Sequence, residues 1–114
     1  MTDVEIYHNP RCSKSRQTLK LIQDQGFEPK IILYLEDPPN PAQIKDLLGK
    51  LDLGAEQLIR TKESIFKELD LKGKKEADLI QAMSKHPILI ERPIVARGEK
   101  ARLGRPPEQV MDLL

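Results

Sequence analysis

The hydrophobic positions of this chain change period several times, and each change marks an element. Residues 4–7, VEIY, alternate apolar and polar positions, the period of two that a short strand with one buried face requires. Asn9-Pro10 breaks that strand, because proline lacks an amide donor and biases the residue before it away from helix. From Ser13 the spacing becomes helical, with Leu19 and Ile22, flanked by Thr18 and Leu21, on the face expected to be buried. Gly26 is placed to end that helix. Residues 30–34, KIILY, form a β-branched run that reads as a buried strand. Strand, helix and strand in about thirty residues make a βαβ unit, which requires parallel pairing and a right-handed crossover.

Glu36-Asp37-Pro38-Pro39 is a loop. Asn40-Pro41 then supplies a helix cap and a first-turn proline, and Ile44, Leu47, Leu48 and Leu51 follow at helical spacing. Short helices are expected from Ala55 to about Leu71. A further helix is expected over residues 77–85, with Leu79, Ile80 and Met83 inward and Pro87 stopping it. Residues 88–90 are compact and apolar. Residues 94–96 and 101–103 flank the turn Arg97-Gly98-Glu99-Lys100 and read as a hairpin. Pro106 and Pro107 open a last helix, with Val110, Leu113 and Leu114 on its buried face. The order βαβ, helical insert, ββα predicts an α/β fold, a mixed β-sheet covered by helices. That layout resembles a thioredoxin-like domain carrying a helical insertion.

The 114 residues amount to a single domain, 1–114, with room for one modest core. Nineteen Lys and Arg against eighteen Asp and Glu leave a net charge of +1, so no global field points to nucleic acid or to an anionic membrane. No apolar run approaches the roughly 20 residues that span a bilayer. The opening MTDVEIYHNP lacks the basic and apolar regions of a signal peptide. A lone cysteine forms no internal disulfide, so nothing points to an oxidising compartment and the cytoplasm is the expected location. One Cys and two separated His cannot close a zinc site, so no metal and no bound cofactor is expected.

That cysteine, Cys12, lies in His8-Asn9-Pro10-Arg11-Cys12-Ser13-Lys14-Ser15-Arg16, just after a strand and just before a helix. Unpaired amides at a helix N-terminus favour an anion, here a thiolate, and Arg11, Lys14 and Arg16 add positive charge nearby in sequence. A free thiol of pKa ~8.5 is only about 3% ionised at pH 7, and a drop of two units makes the thiolate the majority form. A lone cysteine is often just a small buried hydrophobe, but these polar, basic neighbours suit a core position poorly. Ser15 occupies the place three residues on where a dithiol motif needs a second cysteine, so any disulfide of Cys12 joins it to another molecule. Ser15 either turns its hydroxyl to the sulfur or is merely a residue of the helix's first turn. His8 either supports the thiolate by a hydrogen bond, directly or through a second group, or sits at a strand end touching only water.

Beyond the first helix, Arg60, Arg92, Arg97, Arg102 and Arg105 are candidate anion ligands, since a guanidinium presents a planar fork of donors to a tetrahedral oxyanion. Arg92 precedes Pro93 and Arg105 precedes Pro106, positions where restricted backbone can aim a side chain. Composition alone does not choose among the five.

The blocks Ile6-Tyr7-His8-Asn9-Pro10-Arg11-Cys12-Ser13-Lys14-Ser15-Arg16, Tyr34-Leu35-Glu36, Leu58-Ile59-Arg60, His86-Pro87-Ile88-Leu89-Ile90-Glu91-Arg92-Pro93-Ile94-Val95 and Gly104-Arg105-Pro106-Pro107 resemble the ArsC-type, glutaredoxin-coupled arsenate reductases. They occur in that family's order and spacing over essentially the whole chain, which resembles the family's short members most. The resemblance implies that Cys12 is the nucleophile and that Arg60, Arg92 and Arg105 bind the oxyanion. It further implies that Pro93 holds the cis position of thioredoxin-like folds and that His8 and Ser15 tune the cysteine. It also implies arsenate as substrate, a covalent Cys12–arsenic intermediate, glutathione as co-substrate and glutaredoxin as partner. Two other readings stand beside it: a glutathione-dependent thiol reductase, and a protein-binding regulatory module like the Spx-type regulators, without arsenate activity.

Overall fold

The alternation at the start of the chain becomes a strand, β1 (Val4–Tyr7), with Val4 and Ile6 buried and Glu5 and Tyr7 half-buried. The structure, a computed structural model, describes residues 3–114. Helix α1 (Ser13–Asp24) follows, then β2 (Lys30–Ile32), which pairs parallel with β1 and places Ile31 beside Ile6. After the helical insert come β3 (Ile94–Arg97) and β4 (Lys100–Leu103), antiparallel to each other across the turn at Gly98-Glu99. β3 also runs antiparallel to β1, so the four-stranded sheet has the order β2-β1-β3-β4 and is mixed, as expected.

The chain forms two compact units, one built from the residues up to Asp37 together with Arg92–Leu114, the other from Pro38–Glu91. In the sheet unit, Val4, Ile6 and Val95 pack with Ile22 of α1 and with Val110 and Leu113 of the C-terminal segment. In the insert, α2 (Pro41–Leu51), α3 (Ala55–Leu58), α4 (Ser64–Glu68) and α5 (Glu76–Lys85) succeed one another. α2 and α5 pack together and bury Ile44, Leu47, Leu48, Leu79, Ile80 and Met83. Asn40 caps α2 reciprocally: its Oδ1 accepts from the Gln43 amide at 2.8 Å, and Gln43 Oε1 accepts from the Asn40 amide at 2.9 Å. Among the described residues no helix is long and apolar enough to cross a membrane.

Two expectations change, and a stretch left without an assigned element gains one. The second strand is shorter than residues 30–34 and is not buried, with Ile31 46% exposed. It is an edge strand, and the chain turns away at Leu33, whose carbonyl accepts the amides of Glu36 and Asp37. The stretch after Pro87 opens with a 3-10 turn (Pro87–Leu89) that leaves Ile88 exposed, and Ile90 bridges to Ile59 within the insert. The last helix, Pro107–Leu113, is 3-10 rather than α. Two consecutive prolines withhold amides from its first turn. Its later residues are held from outside: Arg97 Nη1 donates to the Leu113 carbonyl at 2.8 Å, and Arg102 Nε donates to Asp112 at 3.0 Å. Val110 and Leu113 are buried there, and Leu114 is half-buried.

On α1 the fully buried stripe is Ser15, Thr18 and Ile22, more polar than the leucine spacing implied. Gly26 ends the helix with φ +89°, while the Phe27 amide reaches back to the Ile22 carbonyl. Gly104 is the close approach that seats β4 against α1. A Cβ there falls 2.5 Å from Thr18 Oγ1 and 2.8 Å from Pro93 Cγ. We expect Gly104→Ala to lower the unfolding free energy by about 1–3 kcal/mol through overpacking. Gly49→Ala, inside α2 where a Cβ meets nothing within 4 Å, has the opposite sign and gains about 0.5–1 kcal/mol. Urea midpoints of the two variants test both signs.

Candidate active site

The segment between β1 and α1 is wired almost entirely by its own polar groups. The Asn9 carbonyl accepts the Cys12 amide at 3.0 Å, and Asn9 Oδ1 accepts the Arg11 amide at 3.0 Å. Arg16 Nη1 returns from the first turns of α1 to the Pro10 carbonyl at 2.9 Å. Ser15 is fully buried. Its Oγ accepts the Asn9 amide at 3.0 Å and lies 2.6 Å from His8 Nδ1. His8 is itself buried, so it does not sit at the strand end touching only water. Burial first, and then the Arg16 charge, hold its pKa below the ordinary histidine value, which favours the neutral ring. The Ser15 hydroxyl therefore ties the end of β1 to the first turn of α1.

Cys12 is the N-cap residue of α1 and is half-exposed. Burial pushes its thiol pKa up, but the opposing influences together win. The Ser15 amide favours the ionised sulfur most, followed by a hydrogen bond donated by the Arg92 side chain, the Arg92 charge, and the Lys14 amide. The net pKa lies below the ordinary thiol value. The two amides act as helix N-terminal donors without closing a conventional side-chain cap.

Arg92 is half-buried and reaches that sulfur from the segment leading into β3. The Arg92–Pro93 and Arg105–Pro106 peptides are both cis. The Gly104 amide donates to the Pro93 carbonyl at 2.9 Å, and Arg105 Nη1 donates to the Arg92 carbonyl at 3.3 Å. The hairpin register thus sets the two arginine-proline segments side by side, Arg105 on the exposed outside. Arg60 belongs to the insert, where its guanidinium faces Glu63 at 3.3 Å and Glu91 at 3.8 Å and its amide donates to the Leu89 carbonyl. Arg97 and Arg102 serve the C-terminal helix, and Arg97 also lies 4.9 Å over the Phe27 ring. Among the described residues no group of three or more His, Cys, Asp or Glu is arranged to hold a metal ion.

Sequence reasoning placed Thr18 beside the buried face of α1 but missed its contact with Gly104, and missed Gly104 itself. Thr18 Oγ1 donates to the Lys14 carbonyl at 2.7 Å, and a longer approach of 3.5 Å reaches the Gly104 carbonyl. The available signal was a glycine directly before Arg105-Pro106, in a strand end where no turn requires it.

The ArsC family model matches residues 7–113. An uncharacterized protein, YfgD, of Escherichia coli K12 is 53% identical over 97% of this chain and 96% of its own length. An arsenate reductase of Haemophilus influenzae is 45% identical over 97% of this chain and 98% of its own. The solved structure of an arsenate reductase from Vibrio cholerae superposes with a TM-score of 0.96 at 47% identity, covering 99% of this chain and 98% of that one.

The depressed thiol pKa has a sign that can be checked. Iodoacetamide alkylation of Cys12 should show a midpoint below the ~8.5 of a free thiol, and Arg92→Leu should move it upward. A thiol whose folded pKa is lowered stabilises the fold as it ionises. That contribution is complete above the unfolded value of ~8.5 and is lost as pH falls through the folded pKa. Cys12→Ser should accordingly remove a rise of stability with pH in that window, measured by urea unfolding.

Proposed function

The chain belongs to the ArsC family, and from that premise we propose that it reduces arsenate to arsenite through a covalent Cys12–arsenic adduct. The observation that carries the reading is a sole thiol at a helix N-terminus, with the Arg92 guanidinium on its sulfur and Arg105 tied to Arg92. Relatives named as arsenate reductases support the substrate.

In this reading arsenate docks with its oxygens on Arg92 and Arg105. Arg60 enters as a third ligand from the family resemblance alone. The Cys12 sulfur attacks arsenic. A sulfur–arsenic bond forms, an arsenic–oxygen bond breaks, and the departing hydroxyl leaves as water with one further proton from arsenate or solvent. The guanidiniums meet charge on the oxyanion with donors already in place. Glutathione then attacks the Cys12 sulfur. The sulfur–arsenic bond breaks and its electron pair stays on arsenic, which departs as arsenite, two electrons reduced. Cys12 is left in a disulfide with glutathione, and a glutaredoxin thiolate takes the glutathione and frees Cys12. A reducing compartment, the cytoplasm, suits these co-substrates. No bound cofactor takes part. A thiol reductase without an oxyanion substrate needs no paired arginines beside its sulfur, which favours the arsenate reading over that one.

The test is glutaredoxin-coupled steady-state kinetics on the purified protein. Cys12→Ser should abolish turnover, since the chain has no other thiol. Arg92→Lys, Arg105→Lys and Arg60→Lys keep the charge but lose the fork. Losing a charge-assisted hydrogen bond costs ~1.5–3 kcal/mol, roughly ten- to hundredfold in kcat/KM. Arg97→Lys and Arg102→Lys should stay near wild type, because their guanidiniums serve Leu113, Phe27 and Asp112. Equal small losses at all five positions would remove the oxyanion role.

A further inference from the structure

Beside the cysteine loop lies a cleft that the steps above leave unused. It encloses about 330 Å³ and is bordered by two chain segments, residues 8–11 and the turn bearing Leu33, Leu35 and Glu36. That volume is at the low end of the roughly 300–1,000 Å³ typical of small-molecule sites, and its mix of apolar surface with a few charges is typical too. Both borders are fixed by hydrogen bonds to backbone carbonyls. Arg16 holds the Pro10 carbonyl, and the Leu33 carbonyl holds the amides of Glu36 and Asp37. Leu33 and Leu35 are 36% and 40% exposed, so their apolar surface meets solvent. Among the described residues neither the Arg11 guanidinium nor the Glu36 carboxylate takes part in an ion pair.

We propose that this cleft docks the peptide of the thiol that attacks Cys12, a zwitterionic tripeptide of glutathione's chemistry; the proposal rests on the reading above in taking glutathione as the electron donor. With one cysteine in the chain, electrons must enter from an external sulfur that reaches Cys12, and the cleft's border ends at Arg11, the residue before it. Such a peptide carries two carboxylates and one ammonium group. Arg11 matches a carboxylate, Glu36 matches the ammonium, and Pro10, Leu33 and Leu35 cover the aliphatic stretches between them. Arg11 is not among the groups that lower the Cys12 pKa, so docking the peptide and ionising the sulfur rest on different side chains.

Thiol–disulfide exchange without arsenate isolates the docking. Cys12 thiolate attacks one sulfur of oxidised glutathione, a Cys12–glutathione disulfide forms, and the other half leaves as thiolate with no net change of electrons. Bis(2-hydroxyethyl) disulfide undergoes the same exchange without the peptide. Arg11→Gln and Leu33→Ser should each slow exchange with oxidised glutathione by about tenfold, the loss of roughly one good contact, and leave the hydroxyethyl rate unchanged. Lys20→Gln removes the same charge from an exposed position farther along α1 and should alter neither rate. Equal slowing with both disulfides, slowing with neither, or equal slowing by Lys20→Gln would overturn the proposal. No arsenate enters the assay, so the two readings fail separately. Discrimination at Arg11 and Leu33 in a protein that reduces no arsenate would keep the cleft and discard the arsenate step.

Discussion

A half-buried sulfur that must carry negative charge is the constraint on which the rest of the site depends. Burial alone opposes the thiolate, and what overcomes it is a set of donors that face the sulfur before any ligand arrives. Donors of this kind act only if they cannot turn away. The Lys14 and Ser15 amides are fixed because α1 starts at one definite residue, and it starts there because the preceding loop is closed. The Asn9 carbonyl holds the Cys12 amide, and the Ser15 hydroxyl holds Asn9 and His8. A neutral His8 serves this better than a charged one, since burial and the nearby Arg16 charge both oppose a cation there.

The sheet supplies the other half. β3 and β4 pair so that Ile94 faces Leu103, and one more step along the hairpin sets Pro93 against Gly104. Two arginines 13 positions apart are thereby joined through a side chain to a backbone carbonyl. The same step presses Gly104 onto Thr18, whose hydroxyl is bonded into the first turn of α1. The helix that presents the amides and the hairpin that presents the guanidiniums thus meet at a glycine, the small Thr18 side chain lying against its backbone.

Much of this was legible along the chain. Asn40-Pro41 announced a capped helix because cap chemistry is local, and the 94–103 hairpin announced itself because its turn and its apolar runs lie within ten residues. Cys12 stood out for the same reason. Where the reading failed, the deciding interactions were tertiary. KIILY has the composition of an interior strand, but only the sheet order reveals that it lies at the edge. Nothing in the sequence assigns partners to the Ser15 and Thr18 hydroxyls; folding brings His8 and Asn9 to the one and the Gly104 carbonyl near the other. Five arginines look alike in a sequence, and only folding sends Arg97 and Arg102 to the C-terminal helix and Arg92 to the sulfur.

Among the described residues the sheet does not close on itself, so β2 and β4 each leave one side of their backbone without a strand partner there. Open edges are templates for a neighbouring chain, and the hazard grows with their length and flatness. Here β2 has three residues and begins at the exposed Lys30; β4 has four, begins at the exposed Lys100 and includes Arg102. The turn at Leu33 cuts the first edge short, and Pro106-Pro107, which have no amide to offer, follow soon after the second. A strand as long as the KIILY run would have carried Ile31, Leu33 and Tyr34 along an unprotected border. Ending it two residues early trades sheet area for resistance to self-association.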